Sequence, residues 1–516
     1  MTIVESDPLK PPINRARRRR RRRNRVVLAV VVVLLATAAA IGARLLLTSC
    51  GGPGSGVTRI DGQCVGVTDG SYVFDQAYRP VQEKIAAENT WVNDTARDPE
   101  KVPDRAVTIA LLTPMTVTDS SAFDVDEVRN LMEGAYTAQY RANHSRDIGD
   151  SDPLIRLVLA NEGSHQGQWE PVVDQLVDMK DAEAPLAAVV GLGVSIDLTA
   201  LAAKELSEQG IPTVGAITTA DQLNYRNIPG FVRVSPSNRD YVASLKEYLD
   251  RRSQLDSAIL VYDTNAGSRG DIFIESLRDN LTSQMPNLIK FQDQSFVGES
   301  IPSEANPGLF QGITSNICAV TPKVVFFAGR KVDLEGFLDS LTSRVCRDTP
   351  MTVVTVDADP NVFDGDEQAL RDKKITVVYA DASDPRGWIA GVEGTPQYFP
   401  GFERAFEERG FDPAHLDDGG AISHHDAVLT AALAARLSAL PSSPEPPRAA
   451  DVLNQLLNLN TGSLVRGASG TLNFSYRGAG GEESGNPVGK PIPVLEFPSS
   501  GVSPAADQEV YVTGPG

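Results

Sequence analysis

The sequence predicts an α/β chain of two doubly wound parallel-sheet lobes, preceded by one N-terminal transmembrane helix. Three observations predict it. Residues 26–43 form an uncharged apolar run just behind seven consecutive arginines, Arg17 to Arg23. From residue 105 onward, short apolar runs alternate with stretches of helical spacing, the mark of parallel strands covered on both faces. Ten such runs between residues 107 and 380 exceed one typical sheet of this kind, so they divide into two.

The apolar run covers about 27 Å as a helix, close to the roughly 30 Å hydrocarbon core. Leucines 45–47 extend it if Arg44 snorkels. Basic residues beside a span stay on the cytoplasmic side. The expected topology is a cytoplasmic Arg-rich tail over 1–25, an anchor over 26–47, and an extracytoplasmic body. Residues 48–104 read as linker and helix, the helix over 75–92 with Tyr78, Val81 and Ile85 on one side. Strands are then expected over 107–112, 155–160, 187–191, 213–216, 231–235, 258–262, 289–296, 324–328, 351–356 and 375–380. Helices fall between them at 127–143, 171–180, 197–209, 238–252, 270–284, 308–318 and 332–346. Beyond them come helices over 400–409, 421–440 and 449–457, a glycine-flanked strand near 467–474, and a strand over 492–497.

Residues 1–25 carry a net charge of +8, which leaves about −27 for the rest of a chain whose total is −19. So acidic a body argues against nucleic acid and anionic lipid as its partners. Cys50, Cys64, Cys318 and Cys346 all fall on the outer side, where an even number suggests disulfides. Proximity favours Cys50–Cys64 and Cys318–Cys346, with three pairings open. Leu47-Thr48-Ser49-Cys50 is a competing signal, because it resembles a bacterial lipobox. Arg44 just ahead of it, and the Cys64 it would leave unpaired, favour the uncleaved anchor. No zinc-ligand spacing occurs, and no metal or cofactor is expected.

In open parallel sheets, ligands sit beyond the carboxyl ends of the strands. The corners there are Thr113-Pro114-Met115-Thr116, residues 161–169, residues 191–197, and Thr218-Thr219-Ala220-Asp221. Hydroxyls, glycines and backbone N–H groups at such corners can hold an anion without a lysine, although the same residues also serve as plain helix caps. Gly191-x-Gly193 falls short of a dinucleotide fingerprint, since Ile196 occupies the third glycine position. Ser423 and His424-His425-Asp426 read as capping and packing, because adjacent helical imidazoles point about 100° apart. Asp357, Asp359, Asp364 and Asp366 read as solvated loop, and Tyr398, Phe399 and Phe402 as core anchors. With five histidines and no matched nucleophile, the chain does not read as an enzyme.

Taken in order, these pieces resemble the type I periplasmic binding proteins of the leucine/isoleucine/valine-binding branch, over residues about 105–497. VTIALLTPMT at 107–116 looks like that family's first strand and ligand loop. Residues 186–223 are similar to its strand ending in Gly-x-x-Ser, its helix with Thr199, and its Thr-rich loop. FVRVSPSNRD at 231–240 looks like a crossing segment, AILVYD at 258–263 the second lobe's first strand, and GASGTLNF at 467–474 the late turn and strand.

The resemblance implies two Rossmann-like lobes joined by a three-segment hinge. Lobe 1 would comprise 105–236 and 357–462, and lobe 2 237–356 and 463–497, with 498–516 as tail. It also implies that Ser195, Thr218 and Thr219 grip a ligand carboxylate while Asp333 takes an ammonium. The loop at 263–267 lacks an aromatic residue often found there. The expected function is a membrane-anchored extracytoplasmic solute-binding protein taking a small, amino-acid-like ligand for an ABC permease. The alternative is a tethered sensor, receptor or scaffold on the same fold.

Overall fold

The computed structural model describes residues 55–97, 105–118, 121–146, 149, 151–264, 266–267, 270–298, 307–358, 367–440, 443–474, 485–498 and 508–514, together with 23, 25–28, 30–32 and 50–51. The chain divides into two compact units, 1–54 and 55–516. In the first, residues 25–28 and 30–32 are helical. No helix among the described residues is long and apolar enough to cross a membrane, and most of the anchor expected over 26–47 lies outside them.

In the second unit the first sheet holds β1 (Val57–Ile60), β2 (Gln63–Thr68), β3 (Ala106–Thr113), β4 (Leu154–Asn161), β5 (Leu186–Gly191), β6 (Thr213–Gly215) and β7 (Phe231–Arg233). Their order is β1-β2-β4-β3-β5-β6-β7. The five from β4 to β7 run parallel, and β2 closes that edge antiparallel to β4. Residues 48–104, expected as linker and helix, thus supply two strands of this sheet. The helix Arg79–Ala96 buries Val81 and Ile85 in the same core.

Why the strands read as unbroken apolar runs is visible in β3. Val107, Ile109 and Leu111 enter the core on one face, Ala110 and Leu112 the core on the other, so no face is left for polar residues.

The second sheet holds β8 (Ala258–Asp263), β9 (Gln294–Phe296), β10 (Val324–Ala328), β11 (Met351–Val356) and β12 (Ile375–Ala380). A hairpin of β13 (Val465–Gly467) and β14 (Gly470–Leu472) precedes the last two strands, β15 (Pro491–Phe497) and β16 (Gln508–Val512). The sheet order is β16-β15-β12-β11-β10-β8-β9, with β15 and β16 antiparallel. Ile259 and Val261 pack on one face and Ala258 and Leu260 on the other.

The chain crosses between the sheets three times, after β7, after β12 and ahead of β15. Two boundaries differ from expectation. β12 pairs with β11 in parallel, Met351 opposite Ile375, so the second crossing falls after residue 380 rather than at 357. Val465, Ala468, Leu472 and Phe474 are buried in the first lobe's core, so the third crossing follows the hairpin instead of preceding it at 463. Both shifts have one cause: an apolar strand carries no mark of the sheet it joins. The residues expected as tail contribute β16.

Cys318 and Cys346, on either side of β10, are bonded with their Cα atoms 5.4 Å apart. Cys50 and Cys64 each take part in a disulfide, and no described cysteine is free.

Candidate functional site

The carboxyl ends of both sets of parallel strands converge on one cavity of about 160 Å³. From the first lobe, Val194 and Ser195 follow β5, and Ile217 and Thr219 follow β6. From the second, Phe273 comes from the helix after β8, Arg330 and Lys331 from the corner after β10, Asp357 from the end of β11 and Asp381 from the end of β12.

Two long helices close the first lobe's side. The helix Val125–His144 begins at a reciprocal cap, in which Asp124 Oδ1 accepts from the Glu127 N–H (2.8 Å) and Glu127 Oε2 accepts from the Asp124 N–H (2.7 Å). That cap sets Glu127 and Leu131 on the cavity wall. The helix Gly420–Ser438 contributes Gly420 and His424.

Each corner is braced by the next. Gly191, Leu192 and Gly193 all take positive φ, and a Cβ on Gly193 would sit 2.7 Å from the Gln166 amide. This pair of glycines is therefore a tight turn rather than the remnant of a nucleotide motif. Gln166 donates to Thr199 Oγ1 (2.7 Å) and accepts from the Val194 N–H (3.1 Å), so the corner after β4 acts as scaffold for Ser195. Arg233, fully buried, donates to the carbonyls of Thr218 (3.1 Å) and Ala220 (2.9 Å) and fixes the next corner. Burial lowers its pKa to about 10.

Ser195 is a junction between the lobes. Its Oγ accepts from the N–H groups of Thr219 (3.0 Å) and Ala220 (3.3 Å). Its carbonyl accepts from Phe273 N–H (3.2 Å) and Arg330 Nη2 (3.3 Å) of the other lobe. Arg330 also grips both oxygens of Asp271 (2.8 and 2.7 Å) and lies over the Phe273 ring. Lys331 pairs with Glu127 across the lobes (3.1 Å). These contacts describe a closed cleft.

His424 is fully buried, with Nδ1 donating to the Gly420 carbonyl (2.8 Å). Burial depresses its pKa to about 4, so Nε2 is a neutral acceptor. Among the described residues, neither His424 Nε2 nor Thr219 Oγ1 has a hydrogen-bond partner.

Of the residues expected to bind ligand, Ser195 and Thr219 line the cavity together. Thr218 does not: it is buried beneath the corner, its Oγ1 close to where a Cβ of Gly215 would stand. Asp333 is also absent from the lining, buried on the first turn of the helix Lys331–Thr342 and turned toward Gly298 and Asp263. The helix periodicity explains this, since residues two positions apart, such as Lys331 and Asp333, lie on different faces.

Sequence reasoning missed Arg330, Lys331, Asp381, Asp418 and His424. The signal for the first two was present: Gly329-Arg330-Lys331 is a strand-to-helix corner like those after β5 and β6. Asp357, expected as solvated loop, lines the cavity with φ +51°, while residues 359–366 lie outside the described residues. Ser423 does not cap, because the helix starts at Gly420 and all three of His424, His425 and Asp426 are buried within it. Phe399 and Phe402 are core, as expected.

The loop after β4 holds one further group. Glu162 is buried with Oε1 unpartnered among the described residues, and burial raises its pKa to about 8. The unfolded chain ionises near 4.5, so the buried carboxyl costs stability progressively as pH rises from there to about 8. Glu162→Gln should therefore stabilise by about 2 kcal/mol near neutral pH. The gain should vanish below the unfolded pKa; denaturant midpoints across pH check this, and a pH-independent gain would contradict it.

No protein-family model and no curated protein matches the chain. Solved structures do. The leucine-binding protein LivK of Thermotoga maritima superposes with a TM-score of 0.55 at 15% identity, over 80% of this chain and 99% of that one. An ABC transporter substrate-binding protein from Desulfitobacterium hafniense, in complex with Leu, gives 0.56 at 17% identity, over 79% and 100%. A solute-binding protein of an ABC transporter from Rhodopseudomonas palustris BisB5, in complex with 3,4-dihydroxybenzoic acid, gives 0.54 at 13% identity, over 79% and 96%. At these identities the likeness establishes the fold.

Proposed function

We propose that this chain, which has the fold of the type I periplasmic binding proteins, is an extracytoplasmic solute-binding protein that closes its lobes on a small polar, amino-acid-like molecule. The observation that carries the reading is the cavity lined from both lobes at the carboxyl ends of their strands, with Ser195, Arg330, Lys331 and Glu127 joining the two sides around it. A solute touching both walls binds the closed form better than the open one, and that difference drives closure. The neighbours in the fold are named as solute-binding components of ABC transporters, which supports an importer as the downstream partner. The arginine run and the apolar segment behind it support a membrane tether with the body outside.

The test is calorimetry on the full chain with amino acids, amines, amides and aromatic acids, followed by co-purification with a permease. Failure of every class to bind would sink the reading. Lys331→Ala removes one half-exposed pair that exists only across the closed cleft. Solute affinity should fall by about fivefold or less, with the stability of the free protein changed by under about 0.5 kcal/mol. An unchanged affinity would mean that the pair does not report closure.

A further inference from the structure

We infer that the lobes are latched to each other by the chain itself, along one stripe of the helix Ile272–Gln284, so that the cleft rests closed and opens only transiently to admit solute. The inference rests on the solute-binding reading and specifies how that cleft is gated. The helix follows β8 and belongs to the second lobe, whose core takes Phe273, Ile274, Leu277 and Leu281. Ile272, Ser276 and Asn280 stand four residues apart and so share another face. All three turn to the first lobe. Ile272 is buried in that lobe's apolar cluster, which also holds Leu192, Ala220 and Leu223. The Ser276 hydroxyl donates to Asp221 Oδ2 (3.0 Å) and accepts from the Asp221 N–H (3.1 Å), and the Asn280 amide donates to the same carboxylate oxygen.

Main-chain bonds continue the seam at the start of the helix. The Asp197 N–H donates to the Gly270 carbonyl (2.8 Å), near the bond from the Phe273 N–H to the Ser195 carbonyl (3.2 Å). Gly270 has φ +66°, and a Cβ there would stand 2.7 Å from Asp197 Oδ2, so glycine permits the approach. Of the residues in this seam, Ser195 and Phe273 line the cavity and the others lie beside it. The bonds run from protein to protein and need no solute to bridge them. Opening the cleft along the seam exposes Ile272 and strips Asp221 of donors, and both changes disfavour the open form. A solute still favours the closed form, but it shifts an equilibrium that already leans that way, and its entry waits on the minor open form.

The experiment measures the distance between the lobes in the full chain with no solute added, by double electron–electron resonance between spin labels on Asp126→Cys and Glu335→Cys. Both positions are exposed, and each lies within one helical turn of a member of the Glu127–Lys331 pair. One short distance should dominate, with longer ones under about a tenth of the total. Asp221→Ala and Ile272→Ala should each raise the longer share by about fivefold. Circular dichroism reports whether these variants fold. Asn280→Ala removes one half-buried amide, keeps the test decisive if the other two unfold, and should raise the longer share by about twofold. A long distance dominating the labelled chain that is otherwise unaltered would overturn the inference and leave the solute-binding reading standing. A short distance kept by every folded variant would show that this stripe is not the latch, and would overturn it too. Because no solute enters the measurement, a silent calorimetric screen would sink the solute-binding reading without touching the distances.

Discussion

Gly134→Ala is expected to destabilise the protein by about 3 kcal/mol and to weaken solute binding by about tenfold or more. Gly134 lies where the helix Val125–His144 meets the helix Gly420–Ser438. An added Cβ would stand 1.9 Å from the Ala421 carbonyl oxygen, and 2.5 and 2.6 Å from its carbon and Cα. The obstacle is backbone, so no rotamer change relieves it and the helices must part. The two helices carry Glu127, Leu131, Gly420 and His424 on the cavity wall, so the displacement reaches the site directly. Thermal or denaturant unfolding together with calorimetry checks both halves. A variant with unchanged stability would show that the two backbones do not approach as described.

Asp426→Asn should cost about 3–5 kcal/mol, the usual penalty for breaking one partner of a buried ionic network. Asp426 Oδ1 accepts from His425 Nδ1 (2.8 Å) and the Ala468 N–H (2.6 Å), and Oδ2 from the Ser469 N–H (2.9 Å) and hydroxyl (2.6 Å). Beyond His425, Arg141 donates to Nε2 (2.8 Å), so His425 is the neutral tautomer, in keeping with a pKa that burial depresses.

Beyond Ser469, the fully buried Lys490 donates to that hydroxyl (2.9 Å) and to the Val234 carbonyl (2.8 Å). Burial lowers Lys490 to about 8 while Asp426 and Asp381 favour its charge. Burial alone would raise Asp426, but its bonds from His425 and Ser469 and the charge of Lys490 hold it below the usual carboxylate range. The network thus joins the Gly420–Ser438 helix and the β13–β14 hairpin to the first and third crossings of the hinge. Replacing the carboxylate leaves buried Lys490 with only Asp381 to favour its charge. Adding Lys490→Met to Asp426→Asn should recover part of the loss; strictly additive losses would show that the two groups do not interact.

The parallel-strand runs were legible because burial on both faces leaves few polar positions in the strand. The corners after β5 and β6 were legible because ligands gather at carboxyl ends whatever the residues. Asp333 was mistaken for a neighbour because sequence distance says little about which helix face a residue takes, and Lys331, two positions earlier, faces the cavity instead. His424 and Asp426 looked like capping and packing from the sequence. Their separate roles, one on the cavity wall and one in the hinge network, depend on residues such as Gly191, Ser469 and Lys490 that are remote along the chain.

By itself, then, the sequence determined most of the strands and helices, that the parallel strands need two sheets, and that ligands gather at the strand ends, while the three crossings came only with the family resemblance. The first three follow from local periodicity and from the burial rules of parallel sheets. Only the tertiary structure decided that β1, β2 and β16 join the sheets, which sheet β12 joins, where the hinge is clamped, and which side chains meet at the cavity. Those properties are sums over side chains brought together from distant parts of the chain, and no local pattern encodes such a sum.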